Sequence, residues 1–277
     1  MRGITYFTTL ALFASVALPD AANAVILNGG FEAGFGSWQT LGDYRIENSA
    51  FGSGTVQGNS QAFLSTAYRE VIGFDDNSIE IFGGDAAPVA FISGFAEESS
   101  LEGFLGFSTF LGDKSLYDIA TAEPIEGSAI KQTFRAGSGQ VLSFSWNFLT
   151  NESVGEAAVD DLTYPDFNDF AFVSLKSDSG TQLFTLADTI SEFQSSSTSL
   201  ANETGFKTFS YKIPTSGEYT LGIGVVDVGE PTRISALLID KAQVVPETTP
   251  TLGMLLFGAL GTVSMLKRGK KKTDFVS

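Results

Sequence analysis

The sequence predicts an all-β protein built as an antiparallel β-sandwich, and three observations carry that prediction. The first is strict alternation in "VLSFSWNFLT", which sets Leu142, Phe144, Trp146 and Phe148 on one face and Ser143, Ser145 and Asn147 on the other. That period of two belongs to a half-buried strand. The second is repetition of the habit in "NDFAFVSLKS", "FKTFSYKIP" and "EYTLGIGVVDV", with "TSGE" as the turn between the last two. The third is the Gly and Asn punctuation from Val25 to Val244, which implies many short strands in two packed layers. The chain holds 277 residues and 25 Phe. A body of about 220 residues is long enough to build a core of its own.

Taken in order, the chain opens on a signal helix over residues 1–24. Arg2 gives a positive start, Ile4 to Leu18 are largely apolar, and Pro19 ends the run. Ala22 and Ala24 flank Asn23 in the small-x-small pattern of signal peptidase sites, so cleavage is expected after Ala24 and the mature, exported chain begins near Val25. Residues 25–244 form the sandwich. Within it, "AEESSLEGFLGFSTFLGDKSLYDIATAEP" places Leu101, Phe104 and Leu105 at helical spacing behind Ser99 or Ser100 as a cap. One or two short inserted helices are therefore expected.

Two further stretches of the body stand out. Glu152, Asp160, Asp161, Asp166, Asn168 and Asp169 crowd into one inter-strand loop. Crowded carboxylates repel unless a cation or water screens them, so Glu152, Asn168 and Asp169 are candidate calcium ligands beside the alternative of a solvated acidic loop. "SEFQSSSTSLANETG" reads as a Ser-rich surface loop.

The tail reads differently. Thr251 to Leu266 carry no charge, and a helix of that length reaches roughly 24 Å at about 1.5 Å per residue. The hydrocarbon core of a bilayer is about 30 Å thick. Lys267, Arg268, Lys270, Lys271 and Lys272 can snorkel to the headgroups and hold the end of the chain in the cytoplasm. A transmembrane helix over residues 251–266, with the body outside, is expected; a buried core helix is the alternative.

Composition narrows the chemistry. Lys and Arg number 16 against 32 Asp and Glu, a formal net charge of −16. Five of those cations lie past Leu266, so the body is more acidic still. Such a surface repels nucleic acid and anionic headgroups and attracts divalent cations. There is no Cys and no His. Disulfides, thiolate nucleophiles, Ser-His triads and nearly every zinc site are excluded together. Carboxylates, lysines and tyrosines remain, and oxygen ligands of this kind suit hard ions such as calcium.

Two stretches resemble known families. The signal peptide, the external body and "VPETTPTLGMLLFGALGTVSMLKRGKKK" together resemble the PEP-CTERM sorting domain of bacterial envelope proteins, cyanobacterial members in particular. Val245, Pro246 and Glu247 match its motif, while Thr248 stands where a second proline is usual. The resemblance implies that residues 245–272 are a transient membrane address read by an exosortase. "VILNGGFEAGFGSW" and "SALLIDKAQV" resemble the first and last strands of jelly-roll carbohydrate-binding modules, through Asn28, Gly29, Gly30, Phe31 and Glu32 at the opening and Ile239 and Asp240 at the close. Lys241 departs from the Asp or Asn that often follows. That resemblance implies a jelly-roll topology and a structural calcium ion held by Glu32 and Asp240 with carbonyls near Asn28 and Gly30.

The expected function is that of a non-catalytic surface or extracellular-matrix protein binding calcium and exopolysaccharide. Sugar platforms need exposed aromatic rings. Trp146 falls on an apolar strand face and Trp38 follows the opening motif, which leaves Tyr44, Tyr68 and Tyr117 as candidates. The alternatives are a purely structural surface protein and a glycoside hydrolase using two carboxylates roughly 5 to 9 Å apart across a cleft.

Overall fold

The alternating run that predicts a strand becomes β8 (Val141–Thr150), and Leu142, Phe144, Trp146 and Phe148 all enter the central core. The structure is a computed structural model that describes residues 25–67, 71–74, 80–82, 84–90, 99–107, 124–152, 168–229 and 232–246. Before β8 come β1 (Gln39–Leu41), β2 (Asp43–Asn48), β3 (Ser60–Ser65), β4 (Val71–Phe74), β5 (Glu80–Phe82), β6 (Ala87–Pro88), helix α1 (Leu101–Leu105) and β7 (Pro124–Ala136). After it come β9 (Phe170–Ser177), β10 (Gly180–Asp188), β11 (Gln194–Ser195), β12 (Asn202–Glu203), β13 (Lys207–Lys212), β14 (Gly217–Val228) and β15 (Ser235–Val245).

These strands form two antiparallel sheets packed face to face, the predicted sandwich. The first has the order β1-β7-β14-β9-β10, with β6 also on β7. The second runs β11-β12-β8-β15-β3-β2, with β13 also on β8. β4 and β5 pair separately. The last described strand, β15, lies between β8 and β3 in the middle of the second sheet.

Alternation then decides what fills the space between the sheets. Ile223, Val225, Ala171, Val173 and Ile130 from the first sheet meet Leu64, Phe144, Phe148, Leu237 and Ile239 from the second. Fully burying one such side chain stabilises the fold by about 1.5–3 kcal/mol.

α1 covers the outer face of the first sheet. Ser100 caps it as expected, its Oγ accepting the Gly103 N–H at 3.1 Å, and Gly106 ends it in the left-handed region with φ 75°. Leu101, Phe104 and Leu105 pack on Val226, Val228, Phe170 and Phe172. The sheet is shaped to receive the helix: a Cβ on Gly222 would stand 2.6 Å from Leu105 Cδ2. Lys131 donates to the Phe104 carbonyl, and Lys176 donates to the Gly106 carbonyl at 3.2 Å.

Two stretches have more structure than their sequence suggests. The turn after β13 carries the chain from the second sheet to the first, since β13 pairs with β8 whereas β14 pairs with β7 and β9. The Ser-rich run is no mere surface loop. It contributes β11 and β12 and buries Leu200 against Phe63, Leu149 and Leu238, because one apolar anchor is enough to pin a polar loop. The expected signal and transmembrane helices lie outside the described residues. Among those described, no helix is long and apolar enough to cross a membrane.

Candidate chain-end and ion site

The opening motif folds into a turn organised by Asn28. Its Nδ2 donates to the Gly34 carbonyl at 2.7 Å, its Oδ1 accepts the Ala33 N–H at 3.1 Å, and its carbonyl accepts Phe31 N–H at 3.1 Å and Trp38 Nε1–H at 3.3 Å. Phe31, fully buried, stacks on Trp38 at 5.4 Å and meets the edge of Phe35 at 5.9 Å. With Phe31 anchored inward, Glu32 reaches the loop before β3. Its Oε1 accepts the N–H groups of Asn59 at 2.8 Å and Ser60 at 3.0 Å. Gly58 makes this possible: it sits at φ 68°, and a Cβ there would stand 2.1 Å from that same oxygen.

The closing motif reaches the same loop from the other side. A bulge interrupts the β15–β8 register between Asp240 and Gln243, with Lys241 at φ 55°. Asp240, fully buried, turns its Oδ2 to the N–H groups of Val56 and Gln57, both at 2.7 Å, while Oδ1 accepts the Lys241 N–H at 2.6 Å. The two motifs also touch directly. Ala242 N–H donates to the Gly29 carbonyl at 2.9 Å, and a Cβ on Gly29 would lie 1.8 Å from the Ala242 carbonyl oxygen. Gly30 rests against the Gln57 side chain.

Backbone strain and charge both concentrate here. Asn28, Phe31 and Lys241 are the non-glycine residues with left-handed φ among those described, and all three belong to the two motifs. Such conformations persist only where the surroundings over-determine them. Burial pushes the Asp240 carboxyl above its ordinary value, the N–H groups of Gln57, Val56 and Lys241 pull it back, and the charge of Glu32 raises it further. The two carboxylates therefore lie within each other's field.

This donor set is made of hard oxygens. Among the described residues no three carboxylates converge as a metal cluster, so an ion here would complete its shell with carbonyls and water. Asn28 is committed to its turn through Oδ1, Nδ2 and its carbonyl.

The second candidate group is distributed differently. Glu152, Asn168 and Asp169 are all buried, each tying a strand end. Arg233 Nη1 approaches Glu152 Oε2 at 3.4 Å; Asn168 Oδ1 accepts from both Thr189 N–H and Thr189 Oγ1–H; Asp169 Oδ1 accepts the Val228 N–H at 2.9 Å. Asp160, Asp161 and Asp166 lie outside the described residues. The structure adds two carboxylates that sequence reasoning missed, Glu126 and Asp227, paired across β7 and β14. Their only sequence signal was an acid inside an apolar strand, as in "VVDV".

Of the aromatic candidates, both tryptophans are buried, Trp38 beside Phe31 and Trp146 in the core with Lys207 Nζ 5.7 Å from its ring centre. Tyr44 is 44% exposed and meets the edge of Phe35 at 5.1 Å. Tyr68 and Tyr117 lie outside the described residues. So do Ala22, Ala24, Glu247 and the basic residues from Lys267 to Lys272. Val245 and Pro246 are exposed where β15 ends.

No known protein family and no curated protein matches the chain. Solved structures with a similar arrangement do exist. A CBM61 module in complex with β-1,4-galactotriose aligns at 11% identity and a TM-score of 0.40, over 82% of this chain and 100% of that one. A xylan-binding CBM22 domain aligns at 12% identity and 0.30, over 83% and 99%. The CBM22-1 and GH10 modules of Clostridium thermocellum xylanase 10B with xylohexaose align at 11% and 0.29, over 83% of this chain and 29% of that one.

Proposed function

We propose that the protein is a non-catalytic, exported β-sandwich module that holds extracellular polysaccharide and uses calcium to fasten its chain ends. The observation that carries this is the meeting of Glu32 and Asp240 on one loop. The opening and closing motifs, which resemble those of carbohydrate-binding modules, lie at opposite ends of the body in sequence, yet Gly29 of the first and Ala242 of the second are hydrogen-bonded in space.

 Put plainly, Glu32 belongs to the first segment of the body and Asp240 to its last strand, and one loop receives both. Calcium, when bound, would neutralise the two facing carboxylates; Glu32 and Asp240 would hold it, with backbone near Gly30. The ion would then act as a fold-stabilising clamp, through linkage between binding and folding.

Export and sorting complete the proposal. Residues 1–24 would direct secretion, and residues 245–272 would hold the body outside the membrane until an exosortase-type protease removes the tail. In support, β15 ends at Val245, the residue at which the proposed sorting signal would begin.

The test is co-sedimentation of the full-length chain with the producing organism's own exopolysaccharide, in calcium and again in chelator. Calcium-dependent retention supports a matrix-binding module. Absence of retention in both conditions refutes polysaccharide binding and favours a purely structural surface protein, a second reading supported by the burial of both tryptophans.

A further inference from the structure

We propose that the outer face of the first sheet, beside α1, is a docking surface for a polysaccharide that carries carboxylates, a polyuronate. This rests on the reading of the protein as a polysaccharide-binding module and names its ligand class. The placement comes from register. Lys131, Thr133 and Arg135 alternate along β7 on the face that carries α1, since Lys131 donates to the Phe104 carbonyl. Thr220 of β14 stands between Thr133 and Lys176 of β9, and Thr181 of β10 follows Lys176. At about 3.4 Å per residue and about 4.8 Å per strand, the three cations mark a triangle with sides of roughly 12–14 Å.

Inside that triangle the floor is made of hydroxyls. Thr133 Oγ1 and Thr220 Oγ1 are 2.9 Å apart, and Thr133, Arg135, Lys176 and Thr181 are all exposed. The lysines are held in place by the helix. Lys131 Nζ lies 4.2 Å from the centre of the Phe104 ring, and Lys176 Nζ donates to the Gly106 carbonyl at 3.2 Å. An ammonium has three donors, so one bond to α1 still lets Lys176 meet a ligand, and a side chain already ordered costs less to bind with. Arg135 is 78% exposed and stands 3.7 Å from Glu218, a contact worth little at a surface. Its planar fork matches a carboxylate through two parallel N–H bonds. At the margin, Glu218 and Asp178 border a cleft of about 130 Å³ between the β9–β10 and β13–β14 turns, where Ser177, Ser179 and Ser216 offer partners for sugar hydroxyls.

Charge complementarity selects the occupant. The chain carries a net −16, yet three of the ten Lys and Arg between Val25 and Val244 stand on this face. The net charge opposes a polyanion at long range, but the Debye length is about 8 Å at physiological salt, so contact is decided by the local charges. The acidic remainder of the surface disfavours the same polymer elsewhere. With Trp38 and Trp146 both buried, neither tryptophan offers a stacking platform, and ion pairs and hydrogen bonds supply the attraction instead.

The experiment is affinity electrophoresis of the full-length chain in polygalacturonate and in neutral β-1,4-galactan, in chelator, at about 0.15 M and about 1 M salt. Polygalacturonate should retard the wild type at the lower salt and release it at the higher, with galactan the weaker ligand throughout. Arg135→Gln together with Lys176→Gln should weaken retardation by roughly three- to tenfold. Lys207→Gln together with Lys212→Gln removes the same charge from β13 of the other sheet and should leave it unchanged. Equal weakening by both pairs means attraction by net charge alone and overturns the proposal. Should loss of Lys176 unseat α1, Arg135→Glu alone serves, because that side chain stands mostly in water; unchanged retardation by that variant also overturns the proposal. Stronger retardation in galactan overturns the polyuronate assignment while leaving a polysaccharide-binding module. Retardation in neither polymer overturns the assignment, and the wider reading falls with it only if the organism's own exopolysaccharide is not held either.

Discussion

Glu32 and Asp240 each accept two main-chain N–H groups from the same short loop, Glu32 from Asn59 and Ser60, Asp240 from Val56 and Gln57. One loop thus joins the first segment of the body to its last strand. Because N–H donors hold the carboxylates whether or not an ion is present, the clamp has a metal-free component. Calcium would add to it by screening the repulsion that helps to raise the Asp240 carboxyl.

Asp240→Ala should therefore destabilise the protein in chelator as well as in calcium. It leaves the N–H groups of Val56, Gln57 and Lys241 without their acceptor, and an unsatisfied buried donor costs about 1–3 kcal/mol. Partial access to water reduces the sum to roughly 2–4 kcal/mol by the same criterion. Thermal melts should show this loss in chelator and a larger one in calcium. Equal losses in both conditions would remove calcium from the clamp while leaving its hydrogen bonds.

Calcium uptake at this site should compete with protons. The Asp240 carboxyl is raised in the folded chain, so without calcium its contribution to stability is greatest at low pH and falls as pH rises through the raised value. Calcium, if it occupies the site, would bind the ionised form and reverse that sign. The calcium-induced rise in Tm should be largest near pH 7 and shrink as pH falls through the raised value. Taking the difference between calcium and chelator at each pH cancels the separate titration of Glu126, whose carboxyl burial raises to about 7. A calcium increment that is independent of pH would place the ion elsewhere.

Gly29→Ala tests the direct contact between the chain ends. The new Cβ would stand 1.8 Å from the Ala242 carbonyl oxygen, a backbone atom that cannot rotate away. Either the opening turn or the β15 bulge must shift, with a loss of about 1–3 kcal/mol, as for other overpacked sites. Gly30→Ala, which meets only the Gln57 side chain at 3.6 Å, should be close to neutral. Denaturant melts of the two variants give the comparison, and equal stability would show that the ends are less tightly joined than the hydrogen bond implies.

The legible parts of this fold were those written in side-chain pattern. Phe144, Trp146 and Phe148 were assigned to the core by alternation alone, and Ser100 to a helix cap by its place before Leu101, Phe104 and Leu105. The meeting of Glu32 and Asp240 was legible only as a resemblance. Its means of attachment was not, because the main-chain donors at Val56, Gln57, Asn59 and Ser60 leave no mark on residue identity. Glu126 and Asp227 escaped for another reason: their partnership depends on the register of two strands far apart in the chain, and a single sequence does not state register. Leu200 was overlooked in its Ser-rich run because a lone apolar residue has no period.

The seat of α1 gives a last prediction, one that separates the outer face of the first sheet from the chain-end site. Gly222→Ala would set a Cβ 2.6 Å from Leu105 Cδ2 and 2.4 Å from Ser174 Oγ. Leu105 can move only by lifting the helix, which exposes part of the cluster formed by Leu101, Phe104, Phe170 and Val226. A loss of about 1–3 kcal/mol is expected from the overpacking. Local amide exchange should quicken at Phe104 and Gly106, whose N–H groups bond to Ser100 and Glu102. The N–H groups of Val56 and Gln57, which are held by Asp240 across the molecule, should exchange as in the wild type. If they quicken equally, α1 and the Glu32–Asp240 clamp open as one unit.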